Sequence, residues 1–330
     1  MKLAIQNNKE RDITIVGCGF AAVALGISLK KAGLNNFTIL ERSNEIGGVW
    51  RENTYPGAAC DVPSRLYSFS FEQDYPWSLR YAPQKEIFEY LKHCIDKYSL
   101  TRHIRLGMEV TKATYDDDAA TWSVATKSGQ EITTDIFISA VGLFNNPSIP
   151  DIPGQDTFKG SQFHSARWDH SVELDGKTIA SIGSGASAIQ YVPELAKISK
   201  QLNVFQRTPQ HIFAKGDRAN AQQDQSTTLW QKLSHRRERL KLFTRFEKNS
   251  RRRSSEELTQ KSAEAFEKYI HSLVDDAEML KKVLPDYPPG CKRGLRSDDW
   301  YPALLKTNVN LIDAPIDTIT ETGIRNRGDW

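Results

Sequence analysis

Two glycine-rich turns, each lying between a short apolar strand and a helix, constrain this 330-residue chain more than any other feature. In the first, Ile13-Thr14-Ile15-Val16 runs into Gly17-Cys18-Gly19-Phe20-Ala21-Ala22, and an alanine- and leucine-rich stretch then extends to Gly33. The β-branched run favours a strand, the apolar stretch a helix, and the glycine a helix stop. A second strand over residues 37–40 leads to Glu41, nineteen residues beyond Ala22. Each small residue has a physical purpose: Gly17 permits the tight turn, Gly19 lets the backbone approach a pyrophosphate, and Ala22 allows close helix-to-strand packing. The helix N-terminus then offers N–H groups and a dipole to a diphosphate, and a carboxylate at position 41 accepts hydrogen bonds from a ribose diol.

The pattern recurs at residues 177–182, followed by Gly183-Ser184-Gly185-Ala186-Ser187-Ala188 and a helix carrying Ile189, Val192, Leu195 and Ile198, which Pro193 is expected to bend without removing. Its second strand, over residues 202–206, ends in Arg207-Thr208 instead of an acid, again nineteen residues beyond the last small residue. A carboxylate at this tip favours a free 2′-hydroxyl, whereas an arginine accommodates a 2′-phosphate. The first unit is therefore expected to hold FAD or NAD and the second NADPH, which together describe a flavoprotein fed by NADPH.

Between the units, residues 108–138 alternate apolar and polar side chains around turn signals at Asp116-Asp117-Asp118 and Ser128-Gly129, the pattern of an antiparallel meander. Residues 135–140 form a further strand, and Pro147, Pro150 and Pro153 mark a rigid crossing between domains. Residues 222–284 become helical and charged, with one apolar stripe at Leu229, Leu233, Leu240 and Phe243 and another at Leu258, Phe266, Ile270 and Leu273. The expected architecture is α/β: two Rossmann-like dinucleotide-binding domains (FAD and NADP) with a small antiparallel β meander and a helical insertion. The domains are expected over residues 1–150 (FAD), 151–221 and 286–330 (NADP), and 222–285 (helical insertion).

Charge and composition exclude other classes. With 44 basic and 41 acidic residues the net charge is +3, so the whole-molecule field gives no argument for a nucleic-acid partner. The basic segment 236–253 contains Glu238 and Glu247 and an apolar stripe, which favours a solvated helix face over a nucleic-acid surface. The apolar run over residues 136–144 falls far short of the roughly 20 residues needed to cross a bilayer, and residues 1–12 carry no secretory signal pattern. A cytoplasmic enzyme is expected. Cys18, Cys60, Cys94 and Cys291 form no CxxC pair and do not cluster with histidines at zinc spacing, which argues against a redox dithiol, a disulfide reductase and a metal site.

Three further segments carry a family resemblance. Gly47-Gly48-Val49-Trp50-Arg51-Glu52-Asn53-Thr54-Tyr55-Pro56-Gly57-Ala58-Ala59-Cys60-Asp61 resembles the GGxW…YPGxxxD signature of type I Baeyer–Villiger monooxygenases. Residues 158–169 match that family's FxGxxxHxxxW(P/D) fingerprint, with His164 and Trp168 at its fixed positions, and Lys292-Arg293 stands where the family carries a Lys-Arg pair. Flavin-containing monooxygenases that oxidise nitrogen and sulfur are similar but usually place a different aromatic at the position of Trp168.

The resemblance implies that FAD contacts Gly17, Gly19, Ala22, Glu41, Gly48, Val49, Trp50, Asp61, Tyr67 and the backbone of Val110. It implies that NADPH contacts Gly183, Ser184, Gly185, Ala186, Ser187, Ala188, Arg207, Thr208 and Lys292, with Arg293 beside them. NADPH would reduce the flavin, oxygen would add to give a C4a-peroxyflavin, and that anion would attack a ketone to give an ester or lactone. Arg293 is then the catalytic cation and Asp61 the residue that orients it. His164 is given a packing and hydrogen-bonding role in the linker.

The family's chain continues past the position of Trp330 and returns to the FAD domain with a strand and an Ala-Thr-Gly turn beside the flavin. Residues after Arg293 here carry no such turn, so the FAD domain is expected to be incomplete, in a fragment or in a naturally truncated product. Ala59 also stands where some members place an arginine that contacts NADPH. Three functions remain open: a Baeyer–Villiger enzyme acting on a small ketone with molecular oxygen, a monooxygenase acting on a soft nitrogen or sulfur nucleophile, and an inactive truncated nucleotide-binding protein. Substrate identity and oligomeric state are not encoded in these motifs.

Overall fold

The computed structural model describes residues 11–220, 228–252 and 255–327. The chain forms two compact units. Unit 1 comprises Met1–Asn53 and Lys85–Pro147, and unit 2 comprises Thr54–Gln84 and Ser148–Trp330. The sequence places residues 54–84 within the first domain, yet they group with unit 2, and the reason is visible in backbone pairing. Arg80 N–H donates to the Arg218 carbonyl and Asn220 N–H to that of Ser78, both at 2.9 Å.

Unit 1 is built on a parallel sheet. The β-branched run becomes β1 (Ile13–Val16), the helix Phe20–Lys31 follows the glycine turn, and β2 (Phe37–Leu40) returns beside β1 in register Ile13↔Phe37. After the helix Gln84–Lys97, β3 (Ile104–Arg105) extends the sheet. The meander is β4 (Val110–Asp116), β5 (Thr121–Thr126) and β6 (Glu131–Thr134), paired antiparallel as the alternating pattern predicts. Its first turn is stabilised by Asp116 Oδ1, which accepts the N–H groups of Asp118 and Ala119 at 3.0 Å each. β7 (Ile136–Ser139) then joins the other side of β1, giving the order β3-β2-β1-β7. Ile15, Ile27, Ile39, Leu91 and Leu100 are fully buried around this sheet. Both faces of a parallel sheet are covered, which is why β1 and β2 read as nearly continuous apolar runs.

Unit 2 repeats the plan. β8 (Thr178–Ile182), the helix Ala188–Ile198 and β9 (Gln201–Phe205) form a strand–helix–strand unit with Ile182↔Phe205 in parallel register. Pro193 lies within that helix, which continues past it to Ile198. The two-residue strands β10 (Ile212–Phe213) and β11 (Leu295–Arg296) pair in parallel. β12 (Val309–Ile312) adds to β9, giving β12-β9-β8, and β13 (Ile316–Ile319) pairs antiparallel with β14 (Ile324–Asn326). The core joins the helix Ala188–Ile198 to the later segments through Val192, Leu202, Val204, Ile270, Trp300 and Tyr301.

The helical insertion consists of helices Leu229–Arg252, Glu256–His271 and Ala277–Val283. The second apolar stripe buries Phe266 and Ile270, but the first is turned outward: Leu229 is 72% and Leu240 65% exposed. The inward face of that helix is polar. Arg239 Nη1 donates to the carbonyls of Arg65, Leu66 and Ser68 at 2.9–3.0 Å, and buried His235 meets Arg65. Among the described residues no helix is long and apolar enough to cross a membrane, and no group of His, Cys, Asp and Glu is placed to hold a metal ion.

Candidate active site

The first glycine turn has the backbone shape that its spacing demands. Gly17 has φ +97°, and a Cβ there would lie 2.6 Å from the Ala140 carbonyl oxygen, so only glycine fits. Its N–H donates to Leu40 O at 2.8 Å, tying the turn to the tip of β2. Gly19 is the N-cap of the following helix, which has neither a capping side chain nor an acid in its first turn. Ala22 is fully buried in that helix. The second segment of the signature packs on the same turn: Gly47 N–H donates to Cys18 O at 2.8 Å, and a Cβ on Gly48 (φ +55°) would sit 3.3 Å from Gly19 Cα. Val49 and Trp50 open the short helix Val49–Glu52 directly after it. Val110, the first residue of β4, pairs with Thr126 in the meander.

Glu41 lies at the tip of β2 and is 4% exposed. Its Oε2 accepts the Cys18 N–H at 2.8 Å; its Oε1 accepts the Ser43 N–H at 3.0 Å and Arg51 Nη1 at 3.2 Å. The carboxylate is thus held against the glycine turn. Arg51, itself largely buried, also meets Glu52 and the Glu45 carbonyl. Burial alone would lower its pKa, but its contacts with Glu52 and Glu41 outweigh that and raise it. Burial, then the neighbouring Glu41 charge, pushes the Cys18 thiol up to about 12 against the opposing effect of Arg51, so this cysteine stays a neutral packing residue. The sequence reading gave Arg51 no role, and its ten-residue separation from Glu41 is no periodic signal.

In unit 2, Gly183 has φ +111° and its N–H donates to Phe205 O at 2.8 Å, the counterpart of the Gly17–Leu40 bond. Gly185, Ala186 and Ser187 complete the turn, and Ala188 begins the helix, whose first turn again holds no acid. Buried Ser184 places its hydroxyl 3.4 Å from the Thr208 carbonyl, linking the glycine turn to the end of the second strand. Arg207 stands exposed at that tip. Lys292 also reaches this region: its amine lies 4.6 Å from the centroid of Tyr287, whose hydroxyl donates to the Pro209 carbonyl at 2.8 Å.

Arg293 and Asp61, 232 positions apart in the chain, meet: Arg293 Nη2 donates to Asp61 Oδ2 at 2.6 Å. The pair is open to solvent, with the arginine side chain 64% and the aspartate 27% exposed. The loop over residues 55–61 that carries Asp61 is fastened by Gln190 of the helix Ala188–Ile198. Its Oε1 accepts from Tyr55 Oη at 3.0 Å and the Ala59 N–H at 3.2 Å, and its Nε2 donates to Ala59 O at 2.9 Å. Gln190 was not singled out by sequence, because one amide on a helix carries no pattern. Tyr67 ends the short helix Ser64–Tyr67, in the same unit as Asp61. His164 Nδ1 accepts the Ala166 N–H at 3.0 Å, a turn-capping contact, and Trp168 packs among Phe163, Tyr191 and Tyr55.

Residues 10–225 match the flavin-binding monooxygenase-like family. The chain belongs to that family. A Baeyer–Villiger monooxygenase of Streptomyces coelicolor is 38% identical over 309 residues, covering 93% of this chain and 59% of that protein. A second, from Pseudomonas aeruginosa, is 37% identical over 313 residues, covering 94% and 59%. The chain therefore spans under two thirds of the length of these relatives. Among solved structures, an oxidised steroid monooxygenase bound to NADP superposes with a TM-score of 0.84 at 30% identity, covering 97% of this chain and 69% of the other. The two Rossmann-like α/β units described above are the fold of this family member.

Proposed function

We propose that the chain binds FAD on unit 1 and NADPH on unit 2 and serves an NADPH-dependent flavin monooxygenase whose reaction is Baeyer–Villiger oxidation of a ketone to an ester or lactone. The observation that carries this reading is the contrast between the two strand tips: a buried, hydrogen-bonded Glu41 after one glycine turn and an exposed Arg207 after the other. The kinship to Baeyer–Villiger monooxygenases supports the choice of reaction.

The residues fit the groups proposed for them. Gly17, Gly19 and Ala22 leave a cradle at a helix N-terminus that side chains would fill, and Gly48 keeps its opposite wall equally bare. Glu41, held by the Cys18 N–H, would accept hydrogen bonds from a ribose diol, and Val49, Trp50 and the Val110 backbone, all in unit 1, would complete the flavin contacts. Gly183, Ser184, Gly185, Ala186, Ser187 and Ala188 form the second cradle, with Arg207, Thr208 and Lys292 as the 2′-phosphate side. When bound, the reduced flavin supplies oxygen in a form that inserts beside a carbonyl. Arg293 is the chain's own contribution to the reaction. One end of its planar fork is held by Asp61, and the rest faces solvent, free to hold negative charge developing on the substrate's carbonyl oxygen.

The test is anaerobic addition of NADPH to the FAD-loaded chain while the flavin's visible absorbance is followed, then admission of oxygen with a ketone or a sulfide. Bleaching by NADPH and ester formation are expected. Absence of bleaching would refute the two-cofactor assignment; sulfoxide formation without ester would refute the Baeyer–Villiger reaction and point to nitrogen or sulfur oxygenation.

A further inference from the structure

We propose that Tyr287 is a positioning residue for cofactor selection: its ring face holds the Lys292 ammonium beside the Arg207–Pro209 strand tip, so that two cations, not one, meet a 2′-phosphate. The inference rests on the reading of Arg207 as the 2′-phosphate site and names the device that completes it.

Lys292 follows the turn after Tyr287 and is exposed on a flexible four-carbon stem. Left alone, such a side chain samples many rotamers, and fixing it on a ligand costs side-chain entropy. Here its amine sits 4.6 Å from the Tyr287 ring centroid, within the range of a cation–π contact. The ring in turn is immobilised on three sides. Its hydroxyl donates to Pro209 O at 2.8 Å, His211 meets it edge-on at 5.1 Å between centroids, and half of the residue is sunk into the surface. Burial, with Asp286 and Cys291 nearby, raises the Tyr287 pKa, so the phenol keeps its proton and remains the donor to Pro209.

Pro209 is two residues from Arg207 and next to Thr208, whose carbonyl also faces Ser184 of the glycine turn and the Gln210 amide. One aromatic side chain thus links the segment carrying Lys292 to the strand tip carrying Arg207. Arg207 brings a fork that suits a phosphate, and Lys292 brings a compact charge held in reach. The ring does not touch the ligand; it acts through the lysine.

The probes are 2′,5′-ADP and 5′-AMP, which differ by the 2′-phosphate alone, titrated calorimetrically at low salt into the full chain. The wild type is expected to prefer 2′,5′-ADP. Tyr287→Leu should reduce that preference by about three- to fivefold, the worth of an exposed cation–π contact, with 5′-AMP affinity unchanged. Tyr287→Phe, which keeps the ring face, should retain most of it. In a Lys292→Ala background, Tyr287→Leu should change the preference no further. Equal loss for both probes, the same loss in the Lys292→Ala background, or a Phe variant as impaired as Leu would each overturn the proposal. A wild-type preference that Tyr287→Leu leaves intact overturns the proposal alone. A wild type that binds both probes equally removes the 2′-phosphate site itself and the proposal with it.

Discussion

Replacing Glu41 with alanine should destabilise unit 1 even in the absence of flavin, because the carboxylate is a structural partner in addition to its proposed role as a ribose acceptor. Three donors lose their acceptor: the Cys18 N–H at 2.8 Å, the Ser43 N–H at 3.0 Å and Arg51 Nη1 at 3.2 Å. The side chains of the pair are 14% (Arg51) and 6% (Glu41) exposed, so solvent screening is slight and the guanidinium is left largely buried. Breaking a buried pair from one side costs about 3–5 kcal/mol. Arg51 retains Glu52 and the Glu45 carbonyl, which places the expected loss near the lower end, about 3 kcal/mol. Removing both partners, as Glu41→Leu with Arg51→Met, should cost less than the sum of the single changes, by about 1–3 kcal/mol, since no charge is then stranded. The assay is hydrogen exchange of the β1 and β2 amides, which reads unit 1 apart from unit 2. A loss below about 1 kcal/mol for Glu41→Ala, or strict additivity of the pair, would refute the claim that the two are coupled and buried together.

Arg207→Ala should weaken 2′-phosphorylated nucleotides by about 1.5–3 kcal/mol and leave NADH affinity nearly unchanged, a comparison that fluorescence titration of the two cofactors settles. Arg293→Ala should barely move the melting temperature, because an exposed pair with Asp61 is worth about 0–1 kcal/mol, but should lower ketone oxygenation by about a hundredfold or more wherever that activity is assembled. A falling melting temperature with ester formation intact would make Arg293 a structural residue only. His235 accepts from Arg65 Nη2 at 2.9 Å, and burial, then Arg65, lowers its pKa from 6.5 against the pull of Asp74 and Glu238. Because the folded-state pKa is depressed, its stabilisation is complete above about pH 6.5 and is lost as pH falls from there toward the folded value. Protection of the helix Leu229–Arg252 amides, measured as exchange relative to the intrinsic rate at each pH, should therefore fall between about pH 7.5 and 5.5 more in the wild type than in His235→Gln, and an equal fall would count against the assignment.

The elements legible in the sequence were those whose cause is local. A β-branched run followed by glycine at fixed spacing specifies strand, turn and helix without help from distant residues, and both strand–turn–helix units appear where that grammar places them. The meander was readable for the same reason, from alternation and turn residues. Burial of the helical insertion was less legible. The apolar stripe at Leu229 and Leu240 has the spacing of a core face, yet the helix is held through Arg239 and His235, whose partners on residues 64–74 no periodicity can announce. Arg51, Gln190 and Tyr287 were invisible on the same ground: each matters through specific partners off any periodic spacing, and a single side chain has no period.

The grouping of residues 54–84 with unit 2 changes what controls the proposed reacting cation. Asp61, Arg293 and the Gln190 clamp all belong to that unit, so the geometry of the pair follows from unit 2 alone. Gln190 projects from the first turn of the helix Ala188–Ile198 that follows the second glycine turn, and its amide holds both backbone groups of Ala59, two residues before Asp61. Anything that orders or frays the start of that helix therefore acts on the loop that fixes Arg293, through two hydrogen bonds worth about 0.5–1.5 kcal/mol each. Glu41→Ala removes none of these contacts, and the Asp61–Arg293 pair should survive it intact.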